Sequence, residues 1–525
     1  MSRYRENLLL AVFWIGLCAV LFAVYGISLK HPPRSDHMSV LYFFHHLDAV
    51  PRAWFHIVNF DPWTEVRFYP LAFVIVYAFH RVFGQHFAAA HISHIGIYFL
   101  LVICLYRLIR DTGGRLLPVL ACLGVFTFLY SHSDIIVWNL HTYIIIACVC
   151  MLAGFHFYMR YVNTGMLRHV YAAGVLFCAG MLCYETYALW PLGIFFLGSG
   201  VDERRAARLE RPLAARYVQW RLLYGVYGIY ILVFFLTRLL RTYEYSMSKF
   251  LSFFSPEAAL YALAAPLGFL AYNGILVNLF PAIAWPPRVY DESFELGGLI
   301  VAFEPAFRIF LLVAGAAGLG VVIYAVRYLA CRQDTSRVRF FLFFLFLYYA
   351  ELSVLFLTRK VTNPAIYIFQ QFRYQMVPNA MVLSAAALFL SVWCGRNEKR
   401  LVGVIAAAAV VMISNVLFAS KSVILTDSQM QPLIRMVRSV SEALETGRVS
   451  ASQPLYINDA IVDNLPAICW NRRMGQLWVP TGSIRWIYTR GDMGSFTSDP
   501  ETAYWKMDPA TFEIKRADSE NKGTL

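Results

Sequence analysis

Charged side chains are scarce in this sequence: 15% of its 525 residues are Asp, Glu, Lys or Arg, while 59% are hydrophobic. A soluble chain of this size clothes its surface with roughly a quarter of its residues charged, so that class is excluded. Acids are scarcer than bases, 32 against 45, leaving a net charge of +13. That excess does not form a basic face on a soluble module, so nucleic acid is not an expected partner. A disulfide framework and a zinc spacing are both missing. Nearly all of the ten cysteines lie in or beside apolar runs, and Cys469 alone falls in the C-terminal tail. Cys148 and Cys150 lie mid-helix on different faces and are read as packing residues. The first apolar run has a basic flank but no small-residue cleavage site, which reads as a retained signal anchor. Internal repeats are absent too.

Long apolar runs are abundant. They recur from Asn7 to Ala419, each near 20 residues, and the mean hydropathy is +0.55. About 20 residues cross a ~30 Å hydrocarbon core as a helix, and in lipid only a helix satisfies its own backbone over such a length. Between the runs Arg and Lys gather in short segments: Arg3/Arg5, Arg107/Arg110/Arg115, Arg160/Arg168, Arg204–Arg216, Arg327–Arg339 and Arg396/Lys399/Arg400. The positive-inside rule makes these segments cytoplasmic. The expected crossings are then 7–28, 87–108, 115–131, 138–160, 167–183, 187–200, 221–241, 308–327, 340–358, 374–394 and 401–419. Two further apolar stretches, 68–83 and 257–280, are expected at the interface or re-entrant, since spanning would put basic segments outside.

The expected fold is an all-α polytopic membrane protein with about eleven transmembrane helices plus interfacial helices. Its membrane domain covers 1–420 and carries a long first outer loop at 29–86. Residues 421–525, with balanced charge and short alternating runs such as Gln453–Ile457, are expected to form a small α/β domain. The N-terminus is expected in the cytoplasm and the C-terminal domain outside it. The first outer loop then carries Asp36, His37, Asp61, Glu65 and Arg67. Later outer turns carry His132 and Asp134, then Glu185, then Arg359, Lys360 and Arg373.

Several segments resemble the GT-C glycosyltransferases. Arg67-Phe-Tyr-Pro-Leu, Val82-Phe-Gly84 and His91-Ile-Ser-His94 are similar to that superfamily's R-P-L, L-F-G and following His/Arg helix start. The pattern appears in the transmembrane O-mannosyltransferases with tetratricopeptide repeats, and it is also similar to the lipid A aminoarabinose transferase group. Cys183-Tyr-Glu185-Thr followed by Pro191 resembles a lysine–glutamate…proline element. Phe372-Arg-Tyr374-Gln-Met-Val-Pro378-Asn resembles E-R-Y-L-Y-x-P-S. The likeness covers about residues 1–395. It departs where the paired acids of the first loop are Asp36-His37, where Tyr184 stands for the lysine, and where no tetratricopeptide repeats follow.

The resemblance implies transfer of a sugar from a polyprenyl-phosphate carrier to a glycan, lipid or protein acceptor outside the cytoplasmic membrane, and the style of the sequence points to a bacterial inner membrane. Asp36 corresponds to the catalytic acid and would take the acceptor proton; its bland alternative is a solvated loop aspartate. Arg67, Lys360 and Arg373 suit the leaving phosphate, or else snorkel to lipid headgroups. Tyr374 is either a substrate contact or an interfacial anchor. Asp134 is either a second acid or a helix cap, and Glu185 either binds substrate or pairs with a cation. Asp36, His37 and Asp134 are candidates to hold a divalent metal ion, with no spacing that compels one. His91 and His94, at i and i+3, are read first as packing. The rival readings are a transporter or flippase for lipid-linked sugars, an O-antigen ligase or polymerase, and an inactive scaffold.

Overall fold

A computed structural model describes residues 3–32, 37, 40, 69–84, 86–198, 212–239, 263, 265–284, 304–332, 335–360, 374–395 and 397–446. Beyond these it describes 455–456, 476–481, 484–489, 496–497, 505–508, 510–511 and 513–516. Among them are thirteen α-helices. The first seven are α1 (Arg3–Tyr25), α2 (Pro70–Phe83), α3 (Phe87–Asp111), α4 (Leu116–Thr127), α5 (Ser133–Val137), α6 (Thr142–Thr164) and α7 (Leu167–Cys183). The rest are α8 (Ile194–Gly198), α9 (Pro212–Leu239), α10 (Glu304–Cys331), α11 (Thr335–Lys360), α12 (Met376–Cys394) and α13 (Glu398–Glu445). Seven spans among the described residues are long and apolar enough to cross a membrane, or eight if α4 and the Tyr130–Val137 segment, bent by 53°, are one. The chain is therefore a multi-pass helical membrane protein.

Hydrogen bonds tie the two ends of α3 to different partners and so show how it lies. Near its start, the His91 ring meets the carbonyl of His31 at 3.3 Å, just past α1. Near its finish, Arg110 donates to Glu6 at 3.0 Å, in the first turn of α1. The 19 helical steps from His91 to Arg110 rise about 28 Å, close to the hydrocarbon thickness. α1 and α3 are thus antiparallel and both traverse the bundle.

The Glu6 end also collects the arginines. The backbone N–H of Arg115 bonds Ser391 near the finish of α12, at 2.9 Å. Arg337 lies against Gly113. His156 bonds Asp111 at 2.6 Å, bringing the α6–α7 turn with its Arg160 and Arg168 to the same place. The segments holding Arg110, Arg115, Arg160, Arg168 and Arg337 therefore meet at one face, here termed the basic end.

α6 and α7 form a tight antiparallel pair. Gly165 closes α6 in a left-handed conformation (φ 72°), its N–H returning to the Tyr161 carbonyl at 2.7 Å. Small residues let the helices approach, as lipid-embedded packing favours. A Cβ placed on Gly154 would stand 2.7 Å from the Phe177 ring, and that ring is fully buried against Phe155. Gly154→Val is therefore expected to force the pair apart at a cost of roughly 1–3 kcal/mol. Thermal melting in detergent checks this, and a variant that melts with the wild type would refute it.

Some elements differ from expectation. The crossing expected at 187–200 is a 3-10 segment, Glu185–Gly193, followed by the five residues of α8. Pro191 supplies no N–H for a continuous α-helix, and the tighter 3-10 winding accommodates it. The stretch expected at 257–280 contains a π-helix, Leu270–Val277. The domain junction expected at 420/421 falls inside α13, which runs for 48 residues. Its apolar side continues past the lipid-like part through Met430, Leu433, Met436 and Val440, all fully buried.

The C-terminal part holds β1 (Leu455–Tyr456), β2 (Gln476–Thr481), β3 (Ile484–Thr489), β4 (Phe496–Thr497), β5 (Trp505–Met507) and β6 (Ile514–Arg516). β1 pairs in parallel with β4 and β5, β6 runs antiparallel to β5, and β2–β3 form a separate antiparallel pair. Asp508 secures the β5–β6 turn. It accepts the N–H groups of Ala510 and Thr511 at 2.9 and 3.0 Å, and Lys515 at 3.0 Å. Those donors, Thr511 first, hold its carboxyl at about 2. A depressed folded-state value means stabilisation that is present above about pH 4 and lost as pH falls through about 2. A carboxyl-carbon NMR titration should give a midpoint near 2; the midpoint of a free aspartate would contradict the turn.

Candidate functional site

Opposite the basic end, the polar residues of six elements converge. Aromatic rings mark the meeting point. Tyr69, just before α2, stacks on Tyr143 at the start of α6 (6.3 Å). Tyr143 in turn meets Tyr184 at the finish of α7 (6.1 Å), and Tyr184 meets Tyr187 (5.5 Å). Glu185 follows directly and is buried, at 7% exposure. Asp134 occupies the first turn of α5 and is half-buried. The cap position of that helix is His132, two residues before Asp134. The adjoining Ile135 carbonyl meets His94 at 2.8 Å, and the other His94 nitrogen meets the Thr142 hydroxyl at 2.7 Å. Both ring nitrogens of His94 are thus spent on packing α3 against α5 and α6.

A hydrogen-bonded network lies beside this cluster. Asn278 donates to Asn379 (3.0 Å), Asn379 to the Ser131 hydroxyl (3.1 Å), and that hydroxyl to Asn278 (3.2 Å). Asn415 of α13 accepts the N–H of Tyr130 at 2.8 Å and donates to the carbonyl of Asn278 at 2.7 Å. Gln375 donates to Asn273 at 3.1 Å. Tyr374 is buried at 5% exposure, so it faces protein and is not displayed to lipid headgroups. The bonds join the start of α12 to the π-helix, the α4–α5 break and α13, and every side chain in them is buried.

The segment after α1 is fastened to α13. Asp427 meets His31 at 2.9 Å and Lys30 at 3.3 Å, and accepts from Gln431 at 2.9 Å. His37 is buried close by in sequence, at 8% exposure, and lines a cavity with His80 and Asn139. Burial, helped by the charge of His80, pushes its ring down to about 3 against a bond to Asn139 that works the other way. His37 is therefore neutral at physiological pH.

Of the residues singled out in the sequence, the structure brings His37, Asp134, Glu185 and Tyr374 to this end of the bundle. Lys360 is the last residue of α11, and its side chain lies outside the described residues, as do Asp36, Arg67 and Arg373. Among the described residues no three His, Cys, Asp or Glu side chains come together to hold a metal ion.

Sequence reasoning passed over Glu351. It sits within α11, 4% exposed, and one carboxyl oxygen has no hydrogen-bond partner. Cys148 of α6, Tyr187 and Tyr348 lie within electrostatic reach. The signal was a lone acid in the run Phe340–Leu357, where a carboxyl is costly and calls for a reason. Neither a known protein-family model nor a curated protein matches this chain.

Proposed function

We propose that this protein is a GT-C-type glycosyltransferase of a bacterial inner membrane, moving a sugar from a polyprenyl-phosphate carrier to a glycan, lipid or protein acceptor. One observation supports this above others: Asp134, Glu185, Tyr374 and His37 gather at the end of the bundle opposite the arginines. By the positive-inside rule the arginine end is cytoplasmic, so the cluster faces outward, where lipid-linked sugars are consumed. In this reading about eleven crossings carry the chain, the N-terminus is inside and the C-terminal strands are outside. Asp36 takes the acceptor proton, and Arg67, Lys360 and Arg373 neutralise the departing phosphate, since cations must meet the charge that develops there. A divalent ion on Asp36, His37 or Asp134 would serve the same end.

The test is incorporation of a radiolabelled sugar from its polyprenyl phosphate in membranes containing the protein and in membranes lacking it. Equal incorporation across a range of donor sugars would overturn the reading. A transporter for lipid-linked sugars is the second reading, favoured by Glu351, because carboxyls inside spans mark translocation paths. Sugar-lipid movement across proteoliposomes without transfer would select it.

A further inference from the structure

Two arginines at the basic end are pinned to the closing turn of α12. The backbone N–H of Arg115, the residue before α4, bonds the Ser391 hydroxyl at 2.9 Å. Arg400, in the first turn of α13, donates from its guanidinium to the Trp393 carbonyl at 3.1 Å and lies over the Trp393 ring. Both guanidinium groups are within electrostatic reach of Cys394, the last residue of α12. Both arginines are exposed. Arg337, half-buried, lies against Gly113 in the turn that leads to Arg115.

The acids of this end do not answer the Arg115 and Arg400 charges. Glu6 is held by Arg110 at 3.0 Å, and Asp111 by His156 at 2.6 Å. Glu398 stands two positions before Arg400, and residues two apart on a helix do not face each other. Among the described residues neither Arg115 nor Arg400 has an acidic partner. The carbonyls that close α12 are spent as well, Trp393 on Arg400 and Cys394 on the Asn397 N–H at 2.8 Å. α4 adds its positive end, because Leu116 and Leu117 have no helical acceptor for their N–H groups and Pro118 has no N–H. The place suits an anion.

What lies beside the arginines decides which anion. An apolar exposed side of α13 begins two residues past Arg400, with Val402, Ile405, Val410 and Ile413. Trp393 is of the residue type that anchors at headgroup level. A free phosphate has no use for an apolar face, whereas the acyl chains of a phospholipid would lie along it. We infer that Arg115 and Arg400 seat the phosphate of an anionic phospholipid, with Arg337 at the edge of the seat and the acyl chains on α13. By the positive-inside rule that lipid belongs to the cytoplasmic leaflet. Arginine suits the task because its planar fork gives paired hydrogen bonds to phosphate oxygens. A lipid seated here braces α12 and α13, two of the elements that the asparagine network joins. None of this depends on the glycosyltransferase reading.

Native mass spectrometry of the full chain, released from detergent with phosphatidylglycerol or phosphatidylcholine added, tests this. The wild type should bind a first phosphatidylglycerol more tightly than a first phosphatidylcholine. Arg115→Gln combined with Arg400→Gln should weaken that first binding by roughly 10- to 30-fold, the share of two arginines at an anionic lipid surface. Arg160→Gln combined with Arg168→Gln, exposed on the α6–α7 turn of the same end, should leave it unchanged. Equal affinity of the wild type for the two lipids would overturn the inference, whether or not the variants fold. So would wild-type affinity in the Arg115/Arg400 variant, or equal losses in both variants, which would mean diffuse charge in place of a seat. Displacement of phosphatidylglycerol by inorganic phosphate at equal concentration would give the seat to a free anion and overturn the lipid assignment.

Discussion

Asp36→Asn is expected to lower sugar transfer by roughly 10²–10⁴-fold, the range that a positioned general base contributes. The substitution keeps the side chain's size and removes its capacity to accept the acceptor proton. Because uncatalysed deprotonation of a hydroxyl is slow, the loss should fall on turnover more than on donor affinity. Donor binding, followed with a labelled polyprenyl phosphate, should stay near the wild-type level. Equal turnover by wild type and variant would remove Asp36 from the mechanism. A variant that no longer binds the donor would instead make Asp36 part of the donor site.

Asn415→Leu should be the most damaging single change to the membrane domain among the described positions of the asparagine network. It strips the Tyr130 N–H of its acceptor and the Asn278 carbonyl of its donor. Each buried group left unsatisfied costs roughly 1–3 kcal/mol, and the leucine must also fit where a fully buried amide stood. Asn379→Leu would break two bonds of the same network, so the two changes should be less than additive when combined. Thermal unfolding of both variants and their double in lipid measures the coupling. Strict additivity would mean that the two amides act independently and that the network is not one unit.

Much of the scaffold could be read from hydropathy alone, because a lipid-crossing helix announces itself by length and apolarity. Arginine spacing went further, since the segments holding Arg110, Arg115, Arg160 and Arg337 do meet at one end of the bundle. The asparagine network was not legible. Asn278, Asn379 and Asn415 lie more than a hundred residues apart in part, and no local periodicity links an amide just past the π-helix to one in α12. Glu185 and Asp134 stood out because they interrupt apolar runs near their ends. Glu351 interrupts one too, but far from any loop, and attention to loops hid it. The run of α13 past Lys421 escaped for a different reason. Hydrophobic residues thin out past Lys421, yet Met430, Leu433, Met436 and Val440 keep the three-to-four-residue spacing of one helical face.

That unbroken α13 has a mechanical meaning. Its 48 residues make a shaft of about 72 Å, more than twice the thickness of the ~30 Å oily layer it pierces. The strands β2 and β6 touch it, and Asp427 bolts it to the segment leaving α1. Pro432, which leaves the Ser428 carbonyl without a helical donor, is the softest joint along it. A load on the strands would therefore be carried down the shaft to Asn415 and the amides it grips, the same frame that holds the polar cluster.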